Sequence, residues 1–263
     1  MTQRPSAVVI LAAGEGTRMR SRRPKVLHPI GGRPLVGHAV VAAAGVQPTS
    51  LAVVVGHGRD AVTQYLSGLA DELGRTVDVA VQEEQNGTGH AVECALSAVP
   101  VSGGTLVVTY GDVPLLTAQT LTELVAEHER SGAAATVLTA RVCDPTGYGR
   151  IVRDADGQVQ AIVEHRDADD AQRAIDEINS GIYAFDVDAL RRYLAALDTS
   201  NDQGEMYLTD VVALARADGR HVASMTITDT WQTEGVNDRR QLATLGAELN
   251  RRVLGTWMSA GVT

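Results

Sequence analysis

Residues 8–11 are uniformly apolar and mostly β-branched, the pattern of a strand covered on both faces. Similar runs at 51–55, 77–81, 105–110, 134–142, 178–185 and 222–227 predict further strands. The segments between them read as helices over 34–45, 59–73, 89–98, 121–130, 187–196 and 207–217. A final helix is expected over 238–254, where Leu242, Leu245 and Leu249 fall on one face. Strands alternating with helices at short spacing predict an α/β fold: a Rossmann-like, mostly parallel sheet with helices on both faces. Ligand sites in such a sheet lie at the carboxyl ends of the strands. The texture changes after residue 147, where 148–152 and 159–165 flank Asp156-Gly157, a strong hairpin signal. A smaller β-rich subregion is expected there. The pattern shows no internal repeat and no long linker.

Composition narrows this picture. With 263 residues and 44% hydrophobic content, the chain can bury a substantial core as one domain with a subregion. A net charge of -9 argues against general nucleic-acid binding, which needs an extended basic face, and no duplex-binding motif is present. Only Cys94 and Cys143 occur, so a disulfide framework is not expected and a reducing cytoplasm is the simplest setting. No signal core and no stretch near the ~20 apolar residues of a membrane span is seen, so a soluble, cytoplasmic protein without a membrane partner is expected.

The chemistry is concentrated after the first strand. Gly14 and Gly16 allow backbone N–H groups to face one concavity, which suits phosphate oxygens. Arg18, Arg20, Arg22, Arg23 and Lys25 follow in a chain that is otherwise acidic. A basic run alone is most often a solvated loop. Lys25, however, is the only lysine among 23 basic residues, which fits a place for a compact point charge and not a planar fork. The loop is neither a P-loop, since the four-residue spacer after Gly14 ends at Arg18 and is followed by Met19 and not by Gly-Lys-Ser/Thr, nor a dinucleotide fingerprint, which needs a small residue at Met19.

The pattern L-A-A-G-x-G-T-R-M-x-S-x-x-P-K is filled at every specified position from residue 11 to residue 25. It resembles the sugar-phosphate nucleotidyltransferases. With Val26-Leu27-His28 and segments along nearly the whole chain, the resemblance is to the uridylyltransferase half of the bifunctional bacterial enzymes that make UDP-N-acetylglucosamine. It implies uridylyl transfer from UTP to N-acetylglucosamine 1-phosphate, releasing pyrophosphate, for cell-wall precursor synthesis. Alternatives are the same chemistry on glucose 1-phosphate or with a thymidine nucleotide, and a sensor without turnover. The resemblance further implies that Arg18 and Lys25 are catalytic, and that Gln82, Gly87, Thr88 and the backbone of Leu11, Ala12, Ala13 and Gly14 hold the nucleotide. Tyr110 and Gly111 would line the site, Asp112 and Asn237 would bind Mg2+ and substrate phosphates, and Gly149, Glu164 and Asn179 would hold the sugar. Taken singly, Asp112 reads equally as a turn or cap, Asn237 as a helix cap that Asp238 could also supply, Glu164 as a surface charge and Asn179 as a turn residue. His90 reads as structural, and Tyr183 and Phe185 as core. Residues 1–237 are expected to form the uridylyltransferase domain. Residues 238–263 should form a helix that in larger relatives leads to a left-handed β-helix acetyltransferase domain, trimeric when present. This chain carries no such repeats, so a monomer without acetyl transfer is expected.

Overall fold

The computed structural model describes residues 4–262. In chain order the strands are β1 (Ala7–Ala12), β2 (Pro29–Ile30), β3 (Arg33–Pro34), β4 (Ser50–Val55), β5 (Asp78–Val81), β6 (Thr105–Tyr110), β7 (Ala135–Arg141), β8 (Arg150–Arg153), β9 (Val159–Val163), β10 (Glu177–Asp186) and β11 (Val222–Ile227). The α-helices are α1 (Leu35–Gly45), α2 (Arg59–Leu73), α3 (Thr88–Ala98), α4 (Ala118–Ser131), α5 (Asp170–Arg173), α6 (Val187–Leu194), α7 (Asp210–Ala217) and α8 (Arg239–Ser259).

All six residues of β1 are buried. Because side chains alternate across a strand, Ala7, Val9 and Leu11 enter the core beneath α3, α6 and α7, whereas Val8, Ile10 and Ala12 enter the core beneath α1, α2 and α4. This explains the unbroken apolar run. The main path of the sheet is β11-β7-β10-β6-β1-β4-β5. Strands β6, β1, β4 and β5 pair in parallel, so their carboxyl ends share one edge. Strand β10 runs antiparallel to both β6 and β7, which the apolar pattern of 178–185 does not reveal. The expected hairpin is present as β8 and β9, with Asp154 Oδ1 accepting from the amides of Asp156 and Gln158 at its turn.

Several boundaries differ from the sequence pattern for local reasons. Pro34 belongs to β3 and flanks α1, because it has no N–H to give. Residues 207–209 stay outside α7, with the Leu208 amide donating to Thr88 Oγ1. Helix α6 stops at Leu194, two residues early. Helix α8 runs to Ser259, past the last apolar position that faces the core. The two-residue strands β2 and β3 and the short α5, closed by an Asp169–Gln172 capping box, carry too little periodicity to be read in advance. Tyr183 and Phe185 are buried, with ring centroids 5.2 Å apart.

Helix α8 is docked by Leu245, with Leu242 and Leu249, against Met19, Ile30, Leu35, Leu115 and Val236. An ion network reinforces it: Arg251 and Arg252 both donate to Glu248, and Arg252 reaches Asp229. The helix therefore packs on the segment that follows the glycine loop.

His128 of α4 is buried, with Nδ1 2.9 Å from Thr136 Oγ1. Burial lowers its pKa to about 4, partly offset by Asp186. The unfolded chain takes up this proton near the ordinary value and the folded chain does not, so the contribution is present above pH ~6.5 and is lost as pH falls toward about 4. Urea melts should show His128 alone costing about 2 kcal/mol between about pH 7 and about pH 5. A His128→Asn variant should lose that part of the pH slope, and an unchanged slope would refute the assignment.

Candidate functional site

The carboxyl ends of the parallel strands open into a cavity of about 340 Å³. Leu11, Ala12, Ala13 and Gly14 line it from the end of β1, Gln82 from the end of β5, and Gly87 and Thr88 from the start of α3. Tyr110 ends β6 and Asp112 follows it, Lys25 follows the glycine loop, and Asn237 precedes α8. The fold thus brings eleven residues singled out in the sequence to one place. It also brings four that were not: Val26, Gln85, Ala91 and Glu205. Gln85 Nε2 donates to Ala13 O at 2.9 Å. Neither Gln85 nor Glu205 carries a local signal, because each reaches the cavity only through a long-range loop contact.

That contact depends on Gly87. Its φ is +98°, and a β-carbon there would lie 2.6 Å from Met206 O. The glycine lets residues 86–89 zip onto 206: Met206 N–H donates to Asn86 O at 2.9 Å, and Gly89 N–H donates to Met206 O at 2.8 Å. Gln82 is buried, and its amide nitrogen donates to Gly87 O at 3.0 Å. The same nitrogen lies 3.2 Å from His90 Nδ1, and the amide oxygen has no partner among the described residues, so the oxygen is the atom that Gln82 offers. His90 is structural, with Nδ1 3.0 Å from Glu84 O.

At the opposite wall, Lys25 Nζ lies 2.5 Å from Asp112 Oδ2 and 3.5 Å from Asn237 Oδ1. The side chains of Lys25 and Asp112 are 13% and 16% exposed, so the pair is shielded from most solvent screening. Asn237 is free for this role because Asp238 caps α8, its Oδ1 accepting from the amides of Arg240 and Gln241. The Val236 amide donates to Asp112 O at 2.9 Å and so fixes the approach of the two segments. A carboxylate and an amide oxygen within reach of one nitrogen form a hard-oxygen pair that suits a magnesium ion. Among the described residues no cluster of three or more His, Cys, Asp or Glu offers a complete protein cage. A divalent ion here would share its shell with water or phosphate. The amides of Gly14, Glu15 and Gly16 have no acceptor among the described residues, and the Lys25 stem packs against Gly16.

Other sequence-selected residues lie elsewhere. Arg18 is exposed and lines a separate cleft with Thr17, Met19, Arg20, Asp238, Arg239 and Arg240, because the turn at Thr17–Met19 buries Met19 under α8 and leaves Arg18 outside. Arg18 and Lys25 thus line different hollows. Gly111 does not line the cavity; its amide donates to Leu11 O. Gly149, Glu164 and Asn179 form their own cluster outside the cavity lining. A β-carbon on Gly149 would lie 3.5 Å from both Asn179 Cβ and Glu164 Oε1, and the Asn179 amide donates to Gly149 O at 2.9 Å. Glu164 is not the solvated charge its residue type suggests: burial, then Asp167 and Asp210, raise its pKa. Asn179 opens a bulge in β10, its Oδ1 accepting from the amide of Gly181, where a β-carbon would meet the Tyr110 ring. Tyr110 stands between the two groups, its hydroxyl pKa raised by burial and then by Glu164 and Asp112.

Gly87→Ala should destabilise the protein by about 1–3 kcal/mol through backbone strain and should speed amide exchange at Met206. Gly14→Ala, where no atom lies within 4 Å of a new β-carbon, should change stability by about 0.5 kcal/mol or less. Equal effects of the two in urea melts would contradict the zipper.

A model of the nucleotidyl transferase family matches residues 7–238. The chain is 56% identical over 270 residues to a bifunctional protein GlmU of Micrococcus luteus, covering 99% of this chain and 54% of that protein. It is 55% identical over 258 residues to GlmU of Corynebacterium efficiens, covering 98% of this chain and 53% of that protein, and 55% identical over 259 residues to GlmU of Mycolicibacterium gilvum, covering 98% and 52%. The chain spans about half the length of these curated relatives. The crystal structure of a UDP-glucose pyrophosphorylase complexed with UDP-glucose superposes with a TM-score of 0.73 at 16% identity, covering 94% of this chain and 99% of that one. That likeness establishes a shared fold.

Proposed function

The chain belongs to the nucleotidyl transferase family, and from that premise we propose that it transfers a uridylyl group from UTP to N-acetylglucosamine 1-phosphate. The products are UDP-N-acetylglucosamine and pyrophosphate, and the role is supply of a cell-wall precursor. The observation that carries this reading is the convergence of Lys25, Asp112 and Asn237 on one wall of a cavity. Unclaimed amides lie on the adjoining loop. The close identity to the GlmU proteins selects the uridine and N-acetylglucosamine pair within the family.

The chemistry asks for positioning and charge, not for a base. A sugar 1-phosphate has its second ionisation near ~6 and is largely a dianion at neutral pH, so its oxygen needs no deprotonation before attacking the α-phosphorus. The chain's task is to set that oxygen in line and to neutralise charge on the departing pyrophosphate. Lys25 and the amides of Gly14 to Gly16 take phosphate oxygens, and Arg18 meets the leaving group from the outer cleft. Leu11 to Ala13 and Thr88 shape the nucleotide wall. Gln82 Oε1 accepts from the uracil N–H, since the amide nitrogen is engaged by Gly87 O and His90 Nδ1. Gly149, Glu164 and Asn179 surround the sugar, and Tyr110 separates it from the nucleotide. Asp112 and Asn237 would hold Mg2+, which when bound supplies positive charge to the phosphate oxygens. We assign a cytoplasmic setting and small-molecule partners; the two cysteines are free, and among the described residues no helix is long and apolar enough to cross a membrane.

Pyrophosphate release, measured over a panel of nucleotides and sugar phosphates, should be fastest for UTP with N-acetylglucosamine 1-phosphate. Faster release with glucose 1-phosphate or a thymidine nucleotide would overturn the substrate assignment, and none at all would favour a sensor. Lys25→Ala should lower kcat/KM by about 10²–10³, the scale for losing a group that stabilises transition-state charge, and Lys25→Arg should rescue poorly. Gln82→Ala should raise KM for UTP and leave the sugar phosphate nearly unaffected. Glu164→Ala should do the reverse, and a shared pattern would dissolve the division between the two clusters.

A further inference from the structure

Gln82 carries a neutral amide, and which of its two polar atoms faces the cavity decides what it can read. An oxygen there accepts from a base that presents an N–H, whereas a nitrogen donates to a base that presents a lone pair. The two atoms are nearly alike in size, so the groups behind the side chain make the choice. Two of them meet the amide nitrogen: Gly87 O at 3.0 Å and His90 Nδ1 at 3.2 Å. Gly87 O can only accept. His90 Nδ1 accepts or donates according to the tautomer of its ring, so of the two it is the neighbour whose state can alter the preference.

The surroundings of His90 select the tautomer. Glu84 O lies 3.0 Å from Nδ1 and could take a proton placed there, but it already accepts from the Asn86 amide at 2.9 Å. Gln82 is 4% exposed, and among the described residues its second amide N–H has no partner besides Nδ1. A donor left unpaired at that depth costs more than a spare lone pair on a carbonyl that is already bonded. Nδ1 therefore keeps its lone pair, and the proton sits on Nε2, 3.6 Å from Cys94 Sγ one turn along α3. The Cys94 thiol, its pKa pushed up by burial and then by Glu93, accepts that weak bond. Two acceptors thus face one atom of Gln82, and only the nitrogen satisfies both. Turning the amide over would set its oxygen against Gly87 O and Nδ1 together.

We propose that His90 is a specificity-determining positioning residue: its Nδ1 lone pair holds the Gln82 amide oxygen toward the cavity and so makes the site select uracil over cytosine. The two bases differ at the ring nitrogen concerned, which carries a hydrogen in uracil and a lone pair in cytosine. His90 acts on the base through Gln82 and not by contact. The inference rests on the proposed function, which sets uracil against Gln82, and it adds the basis on which a cytidine nucleotide is refused.

The test is calorimetric titration of UTP and of CTP, each without sugar phosphate so that no transfer occurs, into the wild-type chain, His90→Phe and His90→Asn. The wild type should bind UTP more tightly than CTP. Phenylalanine keeps a ring and removes the acceptor, so an inverted amide then forfeits one hydrogen bond and not two. The ratio of UTP to CTP affinity should fall about fivefold to tenfold, the worth of one such bond. Asparagine sets an amide oxygen where Nδ1 stands and should restore most of the ratio. His90→Leu, which also lacks the acceptor, repeats the comparison should the larger ring prevent folding. A purely packing contribution of His90 would weaken both nucleotides alike, and that result would overturn the proposal, as would a wild-type chain without preference for UTP or a loss in His90→Asn as large as in His90→Phe. The binding ratio needs no turnover. A chain that selects UTP through His90 yet releases no pyrophosphate with N-acetylglucosamine 1-phosphate would sink the proposed function and uphold the role of His90; one that turns over that pair with an unaltered ratio in His90→Phe would do the opposite.

Discussion

The contact between the Lys25 ammonium and the Asp112 carboxylate is the constraint on which the rest of the site depends. Two opposite charges sheltered to this degree are tolerated only while each compensates the other, and loss of one leaves the other stranded. Holding them together requires the turn after β6, the end of the glycine loop and the segment before α8 to meet at one point. The Val236–Asp112 backbone bond and the packing of Met19 and Val236 beneath Leu245 provide that meeting. Helix α8 is therefore part of the machinery that shapes the cavity.

The same loop divides the neighbourhood in two. Its inner end carries the unclaimed amides and Lys25, and its outer end carries Arg18 and Arg20. Met19, buried between them, is the pivot that separates one hollow from the other.

Much of this was legible in the sequence, for reasons that are local. The unbroken apolar run of 8–11 reports a strand buried on both faces, and Asp156-Gly157 reports a hairpin because few dipeptides suit its backbone. The motif from residue 11 to residue 25 led to the family and to most of the residues around the cavity. What escaped was non-local. The antiparallel course of β10 depends on connections and not on its own composition. Gln85 and Glu205 reach the cavity because the backbone closes between Asn86 and Met206. The choice between Asn237 and Asp238 as helix cap is decided by a one-residue difference in where α8 begins, which no propensity resolves.

The zipper between residues 86–89 and Met206 has a consequence for how the protein is made. One wall of the cavity is synthesised more than a hundred residues before the strip that closes it, and Asn237 and the brace of α8 come later still. Contacts of such sequence separation form slowly and late. A nascent chain can assemble β1 and its parallel neighbours on the ribosome, but it presents an open, unfinished groove to the cell until α8 emerges. A ligand of the cavity can therefore stabilise only the completed fold.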